Sequence, residues 1–230
     1  MIQYYRIADL VVQMDSYGRT IEQAKQYRID SCENVDITIN SPWGSRRNDF
    51  PMLSDEDGEY LATGWDFYKK LLDHDGLMLH ASAVVLDGRA YLFSADSGTG
   101  KSTHTQLWLK HFGSKAFVLN DDKPALRLYN GKWYAYGTPW SGKCDISRNV
   151  GVPVAGVAML CRGDENEIHR WYGAEAIAAV YKQINRPKDL FSRNKLLSLL
   201  DKLLCQVPVW KFMCNTDPNS VMVSYTAMRE

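Results

Sequence analysis

The sequence predicts an α/β fold in which a mixed sheet with flanking helices follows a β-rich N-terminal extension. Three observations predict it. From Leu77 onward, short apolar runs alternate with segments whose apolar residues recur at helical spacing. Ser97-Gly98-Thr99-Gly100-Lys101-Ser102 stands between the apolar run Ala90 to Ser94 and a segment carrying Leu107, Trp108 and Phe112, the strand, loop and helix context of a phosphate cradle. Asp87-Gly88 and Asn130-Gly131 each join two such runs as tight hairpins, which places antiparallel neighbours in a sheet that also needs a crossover.

A chain of 230 residues can bury one sizeable core or two small ones. The expected division is an N-terminal unit over 1–75 and a catalytic core over 76–230. Apolar residues make up 45% and charged residues 23%, and 27 basic side chains balance 27 acidic ones. That balance points away from nucleic acid and from an anionic membrane surface as partners. Neither a signal-peptide pattern nor an apolar run of about 18–20 residues is present, so the expected location is cytoplasmic. Cys32, Cys144, Cys161, Cys205 and Cys214 are odd in number and scattered, which reads as reduced thiols.

Along the first 65 residues, Gln3 to Met14 and the strictly alternating Val35 to Ile39 read as strands, with an amphipathic piece near Thr20 to Tyr27. Residues 40–49 read as a turn-rich loop and Ser54 to Glu59 as a solvated acidic turn, followed by a short helix over Trp65 to Leu72. Leu77 to Val85 and Arg89 to Ser94 form the first hairpin, and Ser102 to Phe112 the helix after the loop. Ala116 to Leu119 is a strand ending on Asn120-Asp121-Asp122, and Ala125 to Tyr129 with Trp133 to Tyr136 is the second hairpin. Pro153 to Leu160 and Val207 to Met213 read as strands, Ala174 to Gln183 and Lys188 to Leu204 as helices, and Pro218 onward as a terminal helix or strand.

The chemistry follows from residue type. Glycines let backbone N–H groups converge on anionic oxygens, a lysine reaches the terminal phosphates and a Ser hydroxyl ligates Mg²⁺. Asp96, Ser97, Gly98, Thr99, Gly100, Lys101, Ser102 and Thr103 are the nucleotide-binding candidates, although Ala95 stands where the full loop pattern has its first glycine. Of Asp121 and Asp122, one would hold the metal and the other would take the proton of an attacking hydroxyl. His80, in the strand beside the loop strand, is a candidate to polarise the acceptor or take a proton. Lys143, Arg148, Arg46 and Arg47 are candidates to neutralise phosphate, whereas Trp140 and Tyr136 read as packing residues.

Leu79-His80-Ala81-Ser82-Ala83, the Asp-Gly hairpin, Phe93 to Ser102 and Asn120-Asp121-Asp122, in that order, resemble the catalytic domain of HPr kinase/phosphorylase, a family similar in fold to phosphoenolpyruvate carboxykinases. The resemblance covers roughly residues 77–160. It implies a P-loop serine kinase using ATP and Mg²⁺, with Ser102 and Asp122 on the metal and Asp121, Asp122, His80 and Lys101 as the catalytic set. The family's Asn-rich signature is not recognisable here and the first 75 residues do not resemble its regulatory domain, so HPr itself, phosphorylase activity and the hexamer are not carried over; an oligomer of another kind stays open. Gly137 to Lys143 with Val152 to Ala158 looks more like short HPr-kinase-like proteins, some of which phosphorylate a serine of a precursor peptide. The expected acceptor is therefore a hydroxyl on a peptide, small protein or small molecule. A non-catalytic nucleotide-sensing module is the alternative.

Overall fold

Two apolar runs joined at Ala8 and Asp9, both at positive φ, pair as an antiparallel hairpin of β1 (Gln3–Ile7) and β2 (Leu10–Met14) in the computed structural model. It describes residues 2–30, 32, 34–40 and 43–229, so Ser41 and Pro42 of the expected loop at 40–49 lie outside the described residues. After α1 (Gly18–Ala24), β3 (Arg28–Ile29) and β4 (Ile37–Ile39) complete a four-stranded sheet in the order β3-β1-β2-β4. The one-turn helix α2 (Trp43–Arg46) follows.

The acidic stretch at 54–59 is a correction to the sequence reading. It is not a solvated turn but the cap and opening turns of α3 (Asp55–Leu71), much longer than the helix expected over Trp65 to Leu72. Ser54 accepts a hydrogen bond from the Asp57 N–H at 3.1 Å, and Asp55, Glu56 and Asp57 lie against the positive end of the helix dipole. Lys69 and Lys70 occupy the opposite end, where cations are favoured.

A second correction concerns Leu77 to Val85, which is not one strand. β5 (Gly76–Met78) and β6 (Ala81–Leu86) are separated by Leu79 and His80, because the His80 N–H donates to the Gln183 carbonyl at 2.8 Å. The Asp87-Gly88 turn, with both residues at positive φ, then leads into β7 (Arg89–Ser94). After the glycine loop come α4 (Lys101–Phe112), β8 (Ala116–Asn120), and β9 (Ala125–Tyr129) joined to β10 (Lys132–Tyr136) through Asn130-Gly131, also at positive φ. The chain ends with β11 (Gly151–Arg162), β12 (Glu167–Arg170), α5 (Gly173–Lys182), α6 (Leu190–Gln206), β13 (Val209–Cys214) and the terminal helix α7 (Asn219–Met228).

The large sheet runs β5-β9-β10-β11-β7-β6-β8, with β13 also on β11 and β12 outside it. It is mixed: β11 pairs in parallel with β7 and β13, and β6 is antiparallel to both β7 and β8. β7 and β8 therefore end at the same sheet edge, and β6 begins there. Leu196, Leu199, Leu200 and Leu203 of α6 cover one face with Val180 of α5, while Trp108 of α4 and Val221 and Met228 of α7 cover the other. A third core joins the N-terminal sheet and α3 to Tyr136 and Trp140, the latter stacked on Phe67 at 4.8 Å. Among the described residues no helix is long and apolar enough to cross a membrane.

Candidate functional site

The loop after β7 reaches α4 through Gly98 at φ +78° and Gly100 at φ +122°, conformations that a side chain disfavours. A Cβ at either glycine would meet no atom within 4 Å, so backbone conformation rather than crowding calls for glycine, and the loop faces an open cleft. Lys101, 8% exposed, donates from Nζ to the Ala95 carbonyl at 3.0 Å and the Asp96 carbonyl at 3.4 Å. Burial pulls its ammonium down, against the attraction of Asp122, Asp121 and Asp96.

At the end of β8 the Asn120 side chain folds the chain back. Its Oδ1 accepts from the N–H groups of Asp122 at 3.0 Å and Lys123 at 2.7 Å, and its Nδ2 donates to the Thr138 carbonyl at 3.0 Å. This turn presents the two carboxylates differently. Asp121, nearly buried, accepts from the Ser82 hydroxyl at 2.6 Å, and that hydroxyl lies 2.9 Å from Thr105 Oγ1. Asp122 faces His80 Nε2 through Oδ1 at 3.3 Å and the Lys123 ammonium through Oδ2. Burial pushes the Asp122 carboxyl up, but the His80 and Lys123 contacts outweigh it and hold the group at about 2.

His80 is held from its other side by α5. Gln183 Nε2 donates to Asp96 Oδ1 at 2.8 Å, which turns Gln183 Oε1 toward His80 Nδ1 at 3.0 Å, so that Nδ1 faces an acceptor just as Nε2 faces Asp122. Lys182 pairs with the other Asp96 oxygen at 2.6 Å. Hydrogen bonds from Lys182 and Gln183 hold Asp96 below its usual carboxylate range.

The resulting cleft, about 470 Å³, brings together Ser97, Gly98, Gly100, Lys101, Ser102, Thr103, Asp121, Asp122 and His80 with Gly142, Lys143 and Cys144. Thr99 lies on a neighbouring cavity, and the Asp96 carboxylate turns to α5. Arg46, Arg47 and Arg148 are not in the cleft. Arg46 stands over the Trp65 ring at 5.0 Å, Arg47 pairs with Asp55 at 3.1 Å, and Arg148 covers Phe117 at 4.3 Å. Trp140 and Tyr136 are buried, as their packing role requires. A larger cavity of about 630 Å³ beside β12, β13 and the end of α6 shares no residue with the loop and holds no carboxylate.

No family model matches the chain, and no curated protein matches it. Among solved structures, it is similar to the Hpr(Ser) kinase/phosphatase from Coxiella burnetii, with 11% identity, a TM-score of 0.39, and coverage of 65% of this chain and 93% of that one. This is a distant likeness of fold, and the reading of the cleft rests on its own residues.

Several residues of the site are not visible to sequence reasoning. Ser82, Gln183, Lys182 and Lys123 fix the catalytic candidates, and Arg19, Gln23 and Tyr60 hold the Gly142 backbone. Of these, Ser82 stands inside the motif that carries the resemblance and Lys123 directly after the Asp pair, while the others had no local signal. Among the described residues no three His, Cys, Asp or Glu side chains gather as a metal cluster. Ser102 and Asp122 both line the cleft.

Proposed function

We propose that the cleft binds a nucleoside triphosphate with Mg²⁺ and transfers its terminal phosphoryl group to a serine-type hydroxyl of a peptide, small protein or small molecule. One observation carries this reading: a glycine-opened loop at the start of α4, two carboxylates at the end of β8 and His80 at the start of β6 meet at one sheet edge. The residues suit such a ligand. Gly98 and Gly100 leave the loop backbone open to phosphate oxygens, Lys101 stands beside them, and the α4 N-terminus favours an anion.

Asp122, held ionised at about 2, is a weak base and a strong charge anchor, so it is assigned with Ser102 to the cation. When bound, Mg²⁺ offsets the phosphate charge. Asp121 takes the acceptor proton. The acceptor oxygen forms its bond to the terminal phosphorus as the bond to the bridging oxygen breaks, and that electron pair leaves on the nucleoside diphosphate.

Incubation with γ-labelled ATP, Mg²⁺ and a panel of serine peptides, small proteins and free serine tests the reading, with mass spectrometry locating one added phosphate. Asp121→Asn and Asp122→Asn are each expected to lower kcat by about 10²–10⁴-fold while nucleotide Kd changes far less. Transfer that survives both substitutions removes the assigned roles. The second reading, a nucleotide-dependent binding module, is favoured by the contacts that both Asp122 oxygens already make to His80 and Lys123. It predicts nucleotide binding that Lys101→Ala abolishes, with no phosphorylated product.

A further inference from the structure

On the far side of the loop lies a second cavity of about 370 Å³, within the range of about 300–1,000 Å³ typical of small-molecule sites. We propose that it is the nucleoside subsite, so that base and ribose lie on the β11 and β13 side of the loop while the acceptor enters the cleft holding Asp121; this rests on the nucleotide reading above.

Continuity is the first argument. Gly98, Gly100 and Thr103 line both cavities, so a phosphate chain lying along the loop reaches each of them. The carboxylates and His80 line only the first, which fixes the reacting end of the chain there and sends the other end across the loop. The larger cavity beside β12 shares no loop residue and cannot receive it.

The lining supplies the second argument. Leu107 of α4 and Cys214 at the end of β13 give the site apolar surface for a flat base. Arg162, at the end of β11, donates to the Gly98 carbonyl at 2.6 Å, so a cation stands where phosphate passes into sugar. His104 also lines the cavity. Its Nε2 lies 3.1 Å from both Trp108 Nε1 and Ser224 Oγ, and its buried Nδ1 has no partner among the described residues. A buried polar nitrogen without a partner is costly, and a nucleoside offers both hydrogen-bond donors and acceptors.

The test compares Kd for ATP with Kd for inorganic tripolyphosphate, which has the phosphates and no nucleoside. Thr216→Trp, from an exposed loop position on the rim, should weaken ATP by about tenfold or more and leave tripolyphosphate within about twofold. Leu107→Gln, made separately and checked by thermal unfolding, should show the same split even if the first variant folds poorly. Lys101→Ala should weaken both ligands. Equal ATP and tripolyphosphate responses to Thr216→Trp and Leu107→Gln overturn the subsite while the nucleotide reading stands. Wild-type protein that binds neither ligand overturns both.

Discussion

The Gln183 side chain touches Asp96 of the glycine loop with one end and His80 with the other, so a single amide couples the loop to the His80–Asp122 contact. His80 in turn faces Asp122, whose carboxyl, held at about 2, is ionised near neutral pH. An acid limb in the activity profile near neutrality therefore does not belong to Asp122. Gln183→Leu keeps the main-chain contact to His80 and removes the amide; it is expected to lower kcat by about 10–100-fold, the usual effect of losing a side chain that orients a functional group. Imidazole nitrogen spectra check the cause. The wild-type Nδ1 resonance of His80 should report a hydrogen bond that the variant lacks; an unchanged spectrum with unchanged kcat removes the positioning role. Such a residue is invisible in the sequence for a physical reason. His80, the glycine loop and Asp121-Asp122 stand in a motif order set by local chain geometry, whereas Gln183 lies 103 residues from His80 and meets it only once α5 has packed.

At the scale of elements, α1 and α3 strap the Gly142 backbone over the cleft. The Gly142 N–H donates to the Tyr60 hydroxyl at 3.1 Å, and its carbonyl accepts from Arg19 and from Gln23. Arg19 is itself fixed, 3.1 Å from Asp57 and 4.1 Å over the Tyr60 ring. Gly142 sits at φ +75°, and a Cβ there would lie 2.8 Å from Asp122 Cβ, so both conformation and space require glycine. Gly142→Ala should cost about 1–2 kcal/mol in thermal unfolding and also disturb Asp122. Arg19→Met should leave nucleotide Kd nearly unchanged while lowering kcat/KM for the acceptor several-fold; an equal loss in nucleotide binding would show that the strap supports the loop rather than the acceptor side. The elements themselves were legible where the local code is strong: the Asp87-Gly88 and Asn130-Gly131 hairpins, α4 and the α5 and α6 patterns lie close to their expected positions. The opening of α3 was misread because its acidic residues suit a solvated turn as well as a helix N-terminus. The Ser54 cap decides between them. The break at Leu79 and His80 had no local signal, since partners on α5 and beyond β8 impose it.

Across the whole molecule, two buried ionisable groups pull stability in opposite directions with pH. Glu59, enclosed between α1 and α3, accepts from the Thr20 hydroxyl, and its Oε1 has no partner among the described residues. Burial pushes its carboxyl from 4.5 up to about 7, against the hydrogen bonds from Thr20 and the Tyr17 backbone. Between these values the folded state holds a proton that the unfolded chain has released, so stability falls as pH rises from 4.5 to about 7. His104, between Phe93 and Phe212, is pulled by burial from 6.5 down to about 4. Here the unfolded chain holds the extra proton, so stability rises with pH from about 4 to 6.5. Each contribution is on the order of 3 kcal/mol, and over their shared window they offset one another. Wild-type Tm should therefore change little between pH 4.5 and 6.5. Glu59→Gln, which keeps the shape and removes the titration, should expose the His104 slope, so that Tm rises by about 5–10 °C over that interval. Parallel Tm profiles for wild type and Glu59→Gln would place the Glu59 carboxyl at an ordinary acidity. The same variant should also be more stable than wild type at pH 8, where the wild-type carboxylate is charged inside the interface that positions Arg19 and Tyr60 against Gly142.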